Sequence, residues 1–483
     1  MNQQTQQFET VIGLEVHLQL DTKTKIFCGC ANAFGHEPNT LTCPVCLGLP
    51  GSLPVFNKQV LEYGIKIGLA LNCTVSSFIK FDRKNYYYPD LPKAYQISQY
   101  DMPVARNGFI MAPSQNGESK KIRIHRAHLE EDAGKLIHDD AANCSLVDYN
   151  RTGTPLMEIV SEPDMHSPQD AYEYLQMLKL TLQYLNVSDC DMEKGSLRCD
   201  ANISIRPVGQ TNLGTKTEIK NMNSFKAVKE ALSYEIGRQE SVVRSGGVIV
   251  QETRLWDENK QMTFSMRSKE EAHDYRYFPE PDLVPFTVSE QKIEEIKTAL
   301  PELPLQKQAR IKERYRLNDY DSFILVQDPL VAGFFEECVT LYPDAKKICN
   351  WITGPVLQEL NAKKVPITEL KLSPKNLTTL IQKVEEGVVS NLVGKDILKN
   401  ILETGQDAGD IIQSQGLAQV SDDGALLKIV DELIKENEKV VGQIKAGEEK
   451  AIGFLVGQGM KKMQGKANPK KITELLKRRI LDV

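Results

Sequence analysis

Four short acidic segments in the first half of the chain carry side chains suited to holding a divalent cation beside a phosphoryl group. They are Glu15-Val-His17, His128-Leu-Glu-Glu-Asp-Ala-Gly-Lys135, Pro155-Leu-Met-Glu158 and Lys216-Thr-Glu218-Ile-Lys220. Carboxylates repel one another unless a cation or a proton lies between them, so a cluster of them predicts metal-assisted chemistry. Mg²⁺ suits oxygen ligands and keeps waters of its own, which is also what phosphate chemistry uses. Segment 128–135 shows no strong helix or strand pattern. Along an extended chain Glu130 and Glu131 would point to different sides, so one could bind metal while the other orients water or a nucleophile. The plainer reading of any single glutamate here is a solvated surface charge.

Cys28-Gly-Cys30, twelve residues, then Cys43-Pro-Val-Cys46 supplies four thiolates as two short-spaced pairs. That is how a tetrahedral zinc site is assembled from two turns of chain, although the first pair is C-x-C rather than C-x-x-C. A four-thiolate site has no open coordination position, so zinc here would be structural. The alternative is a set of reduced, partly buried thiols. The other six of the ten cysteines are isolated, which fits a reducing compartment better than a disulfide framework.

Phe81-Asp-Arg-Lys-Asn-Tyr-Tyr-Tyr-Pro-Asp-Leu-Pro-Lys-Ala-Tyr95 interleaves cations with aromatic rings, among them Tyr86 and Tyr87. Such a composition can stack bases and hold phosphates of single-stranded nucleic acid, or serve a protein interface. Net charge is −6, but from Lys461 onward Lys461, Lys462, Lys466, Lys470, Lys471, Lys477, Arg478 and Arg479 face only Glu474 and Asp482. This patch could neutralise phosphates, or be a solvated helix face. Phosphate-loop, dinucleotide-fold, nucleophile-elbow and zinc-protease motifs are absent, so any nucleotide binds in a manner those patterns do not describe.

Elements that could position these groups follow from periodicity. Leu14, Val16, Leu18 and Leu20 alternate with Glu15, His17 and Gln19, a strand that turns Glu15 and His17 to one face. Leu197, Cys199, Ala201, Ile203 and Ile205 alternate in the same way with Arg198, Asp200, Asn202, Ser204 and Arg206. Ser167-Pro168 suits the start of a helix running from Asp170 to Leu185. After Pro285 apolar residues fall three and four apart, as in Ile293, Ile296, Leu300 and in Leu377, Leu380, Val384, and strand signals nearly vanish. Gly405-Gln-Asp-Ala-Gly-Asp410 suggests a hinge. With 483 residues, several domains are expected: an α+β domain over 1–292, a helical domain over 293–405 and a helical tail over 406–483. No signal peptide and no apolar run long enough for a membrane span is seen, and a cytoplasmic protein is expected.

Val11-Ile-Gly-Leu-Glu-Val-His17, Phe81-Asp-Arg-Lys-Asn-Tyr86, the 128–135 segment, Asn150-Arg-Thr-Gly-Thr-Pro-Leu-Met-Glu-Ile-Val160, Gly195-Ser-Leu-Arg-Cys-Asp-Ala-Asn202, Asp274-Tyr-Arg-Tyr-Phe-Pro-Glu-Pro-Asp282 and Gly453-Phe-Leu-Val-Gly-Gln458 together resemble the B subunits of the aspartyl/glutamyl-tRNA(Asn/Gln) amidotransferases, the GatB family. The resemblance runs nearly end to end, in order. It implies a cradle-like catalytic domain, a helical domain and a tail that touches tRNA. The activity it implies is that of a glutaminyl-tRNA synthase (glutamine-hydrolysing) component: ATP and Mg²⁺ phosphorylate the side-chain carboxylate of misacylated Glu-tRNA(Gln) or Asp-tRNA(Asn), and ammonia then displaces the phosphate. Partners implied are an amidase, the A subunit, which frees the ammonia, a small C subunit, and tRNA(Gln) or tRNA(Asn).

Carried over by position, the resemblance implies Glu15, His17, Glu130, Glu131, Glu158 and Glu218 for phosphoryl transfer, with Glu15, His17, Glu131, Glu158 and Glu218 as Mg²⁺ ligands. Lys84 and Lys93 resemble residues near the inner end of an ammonia passage. Tyr86, Tyr87, Lys461, Lys462, Lys466, Lys470, Lys477, Arg478 and Arg479 are the candidate tRNA contacts. Two other classes remain: a Mg²⁺-dependent ligase for a small carboxylate, which would act without tRNA, and a non-catalytic tRNA-binding scaffold, which would tolerate Glu131→Gln or Glu158→Gln.

Overall fold

In the computed structural model, residues 7–113, 118–139, 141–268, 272–417, 423–446, 448–463 and 469–481 are described. The chain forms two compact units, Met1–Leu303 and Pro304–Val483. The first is built on one sheet. Its strands are β1 (Phe8–Gln19), β2 (Thr74–Val75), β3 (Ala105–Pro113), β4 (Ser119–Glu131), β5 (Pro155–Ser161), β6 (Leu197–Pro207), β7 (Thr217–Lys220), β8 (Glu252–Asp257) and β9 (Met262–Ser268). Across the sheet their order is β9-β8-β7-β6-β1-β5-β4-β3-β2. All neighbours are antiparallel except β7 and β8.

The expected alternation holds in β1, where Ile12, Leu14, Val16 and Leu18 are fully buried while Glu15, His17 and Gln19 are partly exposed. Successive residues of a strand face opposite sides, so the aliphatic set closes a core and the polar set forms a floor. Helices Lys58–Ala70, Pro168–Leu185 and Phe225–Arg244 supply that core with Ile65, Ile67, Leu175, Leu178, Val228 and Leu232. The Ser167 side chain accepts from the Asp170 N–H and Pro168 is the first helical residue, as the sequence predicts. Helix Glu290–Thr298 joins the same core through Ile293 and Ile296, so this unit extends to Leu303.

Segment 128–135 departs from the sequence reading, because His128 to Glu131 are the last residues of β4. Every residue from Ala127 to Glu131 is buried. A strand covered on both faces loses the period of two that would reveal it. One cover is a three-stranded sheet of Asp82–Asn85, Tyr95–Ser98 and Phe278–Pro279. It is stitched to β4 by Gln96 Nε2 donating to the Glu131 carbonyl and by Gln99 Oε1 accepting from the Leu129 N–H.

Beyond Pro304 the described residues are helical. One apolar cluster runs from Ile311 to Ile412 and another from Leu426 to Ile480. Gly405, at φ 78°, caps helix Asn391–Thr404, and Ala408, Ile411 and Ile412 of the next helix still pack in the first cluster. The change of cluster therefore falls after Leu417 rather than at the glycine. No helix among the described residues is long and apolar enough to cross a membrane.

Candidate active site

Strand register builds the site. Arg198 of β6 stands opposite His17 of β1, His17 opposite Glu158 of β5, and Glu158 opposite His128 of β4. Directly paired residues share a face, so these side chains form one row across the floor. Glu130, two residues beyond His128, leans into the row. His17 Nε2 lies 3.4 Å from Glu158 and 3.9 Å from Glu130. His128 Nε2 lies 3.4 Å from Glu158 and 3.5 Å from Glu130. Ser98 Oγ donates to Glu130 at 3.1 Å.

Burial pushes the Glu130 and Glu158 carboxyls up, but the neighbouring histidines and Lys84 outweigh it and hold both below the usual range, Glu158 well below. Burial likewise opposes charge on His17, yet Glu158 and Glu130 raise it to about 9. The ligand atoms of His17, Glu130 and Glu158 all fall within 4.8 Å of one another. One imidazole and two carboxylates is a donor set that fits a hard divalent cation keeping several waters.

Glu131 lies on the other side of its strand and is engaged elsewhere. One oxygen takes the Lys93 ammonium and, at 2.8 Å, the Ile97 N–H. Lys84 is half-buried, its Nζ 4.8 Å from the Tyr275 ring centroid. Desolvation pulls its pKa down, but Glu130 and its other neighbours more than reverse this, so Lys84 stays a cation. Glu15 and Glu218 belong to a second acidic group. Asn202 donates to Glu15 at 2.8 Å, Thr253 donates to Glu218 at 2.8 Å, and Lys220 Nζ lies 3.5 Å from Glu218 while donating to Asp200. Asp200 stands directly opposite Glu15.

His128, Arg198, Asp200, Lys220 and Asp132 contact these groups, and no motif in the sequence assigns them a role. The alternation of β6 was the available signal for Arg198 and Asp200. His128 was hidden by the lost periodicity of its strand. Asp132 is buried, accepting from Gln19 Nε2 at 3.0 Å and Arg198 at 2.8 Å.

Away from the floor, Cys28, Cys30 and Cys43 have their sulfurs 3.4, 3.7 and 3.6 Å from Cys46 Sγ. The edge of a tetrahedron with Zn–S bonds of about 2.3 Å is ~3.8 Å, so these four sulfurs could hold a metal ion such as zinc. The fully buried Lys25 places its Nζ 3.6 Å from Cys46 Sγ, a cation the sequence did not connect with this site. A hydrogen bond from Cys28, with Lys25 nearby, outweighs burial and pushes Cys46 down to about 4. Cys28 is driven up in return, and burial raises Cys30 to about 11.

Of the candidate tRNA contacts, Tyr86 is half-buried, its ring 6.0 Å from that of Tyr275, whereas Tyr87 is 76% exposed. In the tail, Ile472, Leu476 and Ile480 of helix Pro469–Leu481 are buried, and Lys470, Lys477, Arg478 and Arg479 are exposed. Lys461 is exposed; Lys462 bonds Glu432 and Glu436, Arg479 bonds Asp431, and Lys466 lies outside the described residues.

The sequence that builds this sheet matches a known class of catalytic domain. Residues 10–294 match the GatB/GatE catalytic domain and residues 333–480 the GatB domain. The chain belongs to the GatB family. It is 54% identical to the aspartyl/glutamyl-tRNA(Asn/Gln) amidotransferase B subunit of Caldanaerobacter subterraneus subsp. tengcongensis, over 97% of this chain and 98% of that one. Subunits of the same name from Carboxydothermus hydrogenoformans and Moorella thermoacetica are each 52% identical over 98% of this chain, covering 98% and 100% of theirs.

Proposed function

We propose that the chain is the tRNA-dependent kinase and transamidase component of a multi-subunit ligase. It acts on glutamate misacylated to tRNA(Gln), aspartate misacylated to tRNA(Asn), or both. One observation carries the reading: the His17, Glu130 and Glu158 donors gather on the polar face of the sheet, within a chain alignable almost end to end with subunits of that name.

The chemistry divides into two transfers. A carboxylate is a poor acceptor for an amine until one oxygen becomes a better leaving group, and transfer of the γ-phosphoryl of ATP to that oxygen supplies it. Ammonia from an amidase partner then attacks the acyl carbon, the C–O bond to phosphate breaks, and amide, phosphate and a proton result. Mg²⁺ held by His17, Glu130 and Glu158 would offset the negative charge where ATP meets the carboxylate. Glu15 and Glu218, with Lys220 between them and Asp200, form a neighbouring acidic group suited to a second cation. Lys84 and Arg198 border the site as fixed positive charges for the phosphates. Lys93, bound to Glu131, would admit or exclude the incoming ammonia.

Zinc at the four cysteines would pin the loop that follows β1. The small C subunit is the third expected partner, and the cationic face of the tail helix is the expected contact for the body of the tRNA. The chain, its amidase partner, glutamate-charged tRNA(Gln), ATP, Mg²⁺ and glutamine are mixed, and the amino acid recovered from the tRNA is measured. ATP-dependent glutamine supports the reading. Persistent glutamate, with aspartate-charged tRNA(Asn) equally unchanged, in a folded complex that binds tRNA, contradicts it.

A further inference from the structure

The four-cysteine loop ends against the stem of Lys93. Cys43 precedes the short helix Pro44–Leu47, Cys46 lies within it, and Gly48 closes it in the left-handed conformation, φ 63° and ψ 36°. The Gly48 N–H donates to the Val45 carbonyl at 3.2 Å and the Leu49 N–H to the Pro44 carbonyl at 2.9 Å, a common way for glycine to end a helix. A Cβ on Gly48 would lie 2.4 Å from Lys93 Cγ, 3.2 Å from its Cβ and 3.3 Å from its Cδ. The bare backbone of the loop is therefore a wall on which the Lys93 stem rests. At the far end of that stem the ammonium holds Glu131.

Handedness alone does not explain the contact. Gly35 and Gly51, on either side of Gly48 in the same loop, are also left-handed, at φ 81° and 85°, and a Cβ on either would meet nothing within 4 Å. Gly48 combines a turn with a close approach, the second thing that a missing Cβ permits.

The backbones on both sides of this contact are held. On the loop side, Cys28, Cys30 and Cys43 gather on Cys46, Lys25 Nζ donates to the Leu41 carbonyl at 2.7 Å, and the Leu41 N–H donates to Asn150 at 2.7 Å. On the other, Lys93 follows Pro92, whose ring fixes its φ, in a turn closed by the Ala94 N–H donating to the Leu91 carbonyl at 3.0 Å. Ala94 is at φ 58°, a region that a residue with a Cβ enters only at a cost, so its surroundings impose this turn. A Cβ on Gly48 must then move the Lys93 stem. Cγ is the first carbon beyond Cβ, and a displacement there is carried along three further bonds to Nζ. The Lys93 side chain is 6% exposed and that of Glu131 3%, so the pair has little solvent-filled room in which to re-form.

We propose that Gly48 is a positioning residue for Lys93, and that through it the four-cysteine loop governs how ammonia is coupled to amide formation, an assignment that rests on the transamidation reading. Gly48 touches no reactant. It keeps the lysine on Glu131, and zinc at the cysteines would keep Gly48 in place in turn. A cluster that does no chemistry itself thereby acts on the delivery of a reactant.

The test compares Gly48→Ala with Gly51→Ala, which brings the same left-handed strain to the same loop with no lysine beside it. The chain alone is treated briefly with a water-soluble acylating reagent, and modification of Lys93 is read by peptide mass spectrometry. Lys93 should react at least about tenfold faster in Gly48→Ala and within about twofold of the parent rate in Gly51→Ala. In the complex with the amidase partner, the amides formed per glutamine hydrolysed should fall at least about tenfold in Gly48→Ala, since a misplacement of about 1 Å can cost about 100-fold. tRNA-dependent phosphate release from ATP without glutamine should stay within about twofold of the parent, because phosphorylation precedes the use of ammonia. In a Lys93→Ala background Gly48→Ala should add no further loss, the clashing carbon being gone.

Parent-like labelling of Lys93 in a folded Gly48→Ala chain overturns the proposal, as does equal labelling in the two variants. Faster labelling with an unchanged amide yield also overturns it, and places the fault in the role given to Lys93 rather than in the contact. Should Gly48→Ala not fold, Cys46→Ser, which loosens the loop and leaves Gly48 present, decides by the same two readings. If the parent complex forms amide on neither charged tRNA, the transamidation reading fails and this assignment fails with it, whatever the labelling shows.

Discussion

His128 and Glu158 stand opposite each other on adjacent strands, with the buried imidazole Nε2 3.4 Å from one Glu158 oxygen and 3.5 Å from one Glu130 oxygen. A single ring nitrogen thus bridges the two acids. The Nδ1 of the same ring is buried and has no hydrogen-bond partner among the described residues. The ring is therefore held by packing and by the two carboxylates. His128→Phe keeps the shape and removes the donor. Mn²⁺ affinity, followed by electron paramagnetic resonance, is expected to fall about 10- to 100-fold, the usual effect of losing a group that orients metal ligands. Unchanged affinity in a folded variant would mean that the carboxylates do not depend on the bridging nitrogen.

Asp132 makes stability depend on pH. Burial raises its carboxyl, but Arg198 and Arg151 outweigh that and hold it below its ordinary value. A folded-state pKa below the unfolded value of about 3.9 means the stabilisation is fully present above that pH and fades as pH falls through the folded value. Asp132→Asn should cost about 1–3 kcal/mol at pH 7. Denaturant melts at several pH values check this, because the gap between parent and variant should close in acid. A gap that stays constant with pH refutes the electrostatic explanation.

The four-cysteine cluster predicts one zinc per chain in protein purified without chelator. Removing Cys46, whose sulfur lies within 3.7 Å of the other three, should remove the metal and lower the melting temperature of the sheet unit. Lys25→Met should weaken zinc retention less, since it takes away a neighbouring charge and no ligand. Zinc well below one equivalent in the parent chain would leave the cluster as packed thiols.

The tail predicts a salt signature. Arg478 is on the exposed side of its helix, whereas Lys462 is already bonded to two glutamates. Arg478→Ala should lower tRNA affinity and flatten the dependence of log affinity on log salt by somewhat under one unit, whereas Lys462→Ala should have the smaller effect. Equal salt slopes for parent and both variants would remove the tail from the tRNA contact.

How far the sequence reveals this arrangement depends on how each strand is covered. β1 and β6 each bury one face, so their period of two shows the strands and turns Glu15, His17, Arg198 and Asp200 to the correct side. The end of β4 is covered on both faces, and there the pattern vanishes, hiding both the strand and His128. Spacing also shows the paired cysteines, but Lys25 enters that site only through tertiary packing. Glu130 and Glu131 are adjacent in sequence with little to distinguish them. Register alone sends Glu130 to the histidines and Glu131 to Lys93.

The central claim is that the row containing His17, Glu130 and Glu158 carries out phosphoryl transfer. It is tested most directly by measuring tRNA-dependent phosphate release from ATP, without glutamine, by the complex containing Glu158→Gln. The row requires that carboxylate, so the rate should fall at least about 100-fold while glutamine hydrolysis by the amidase partner persists. A parent-like rate of phosphate release in a folded Glu158→Gln complex that still binds the misacylated tRNA would contradict the account.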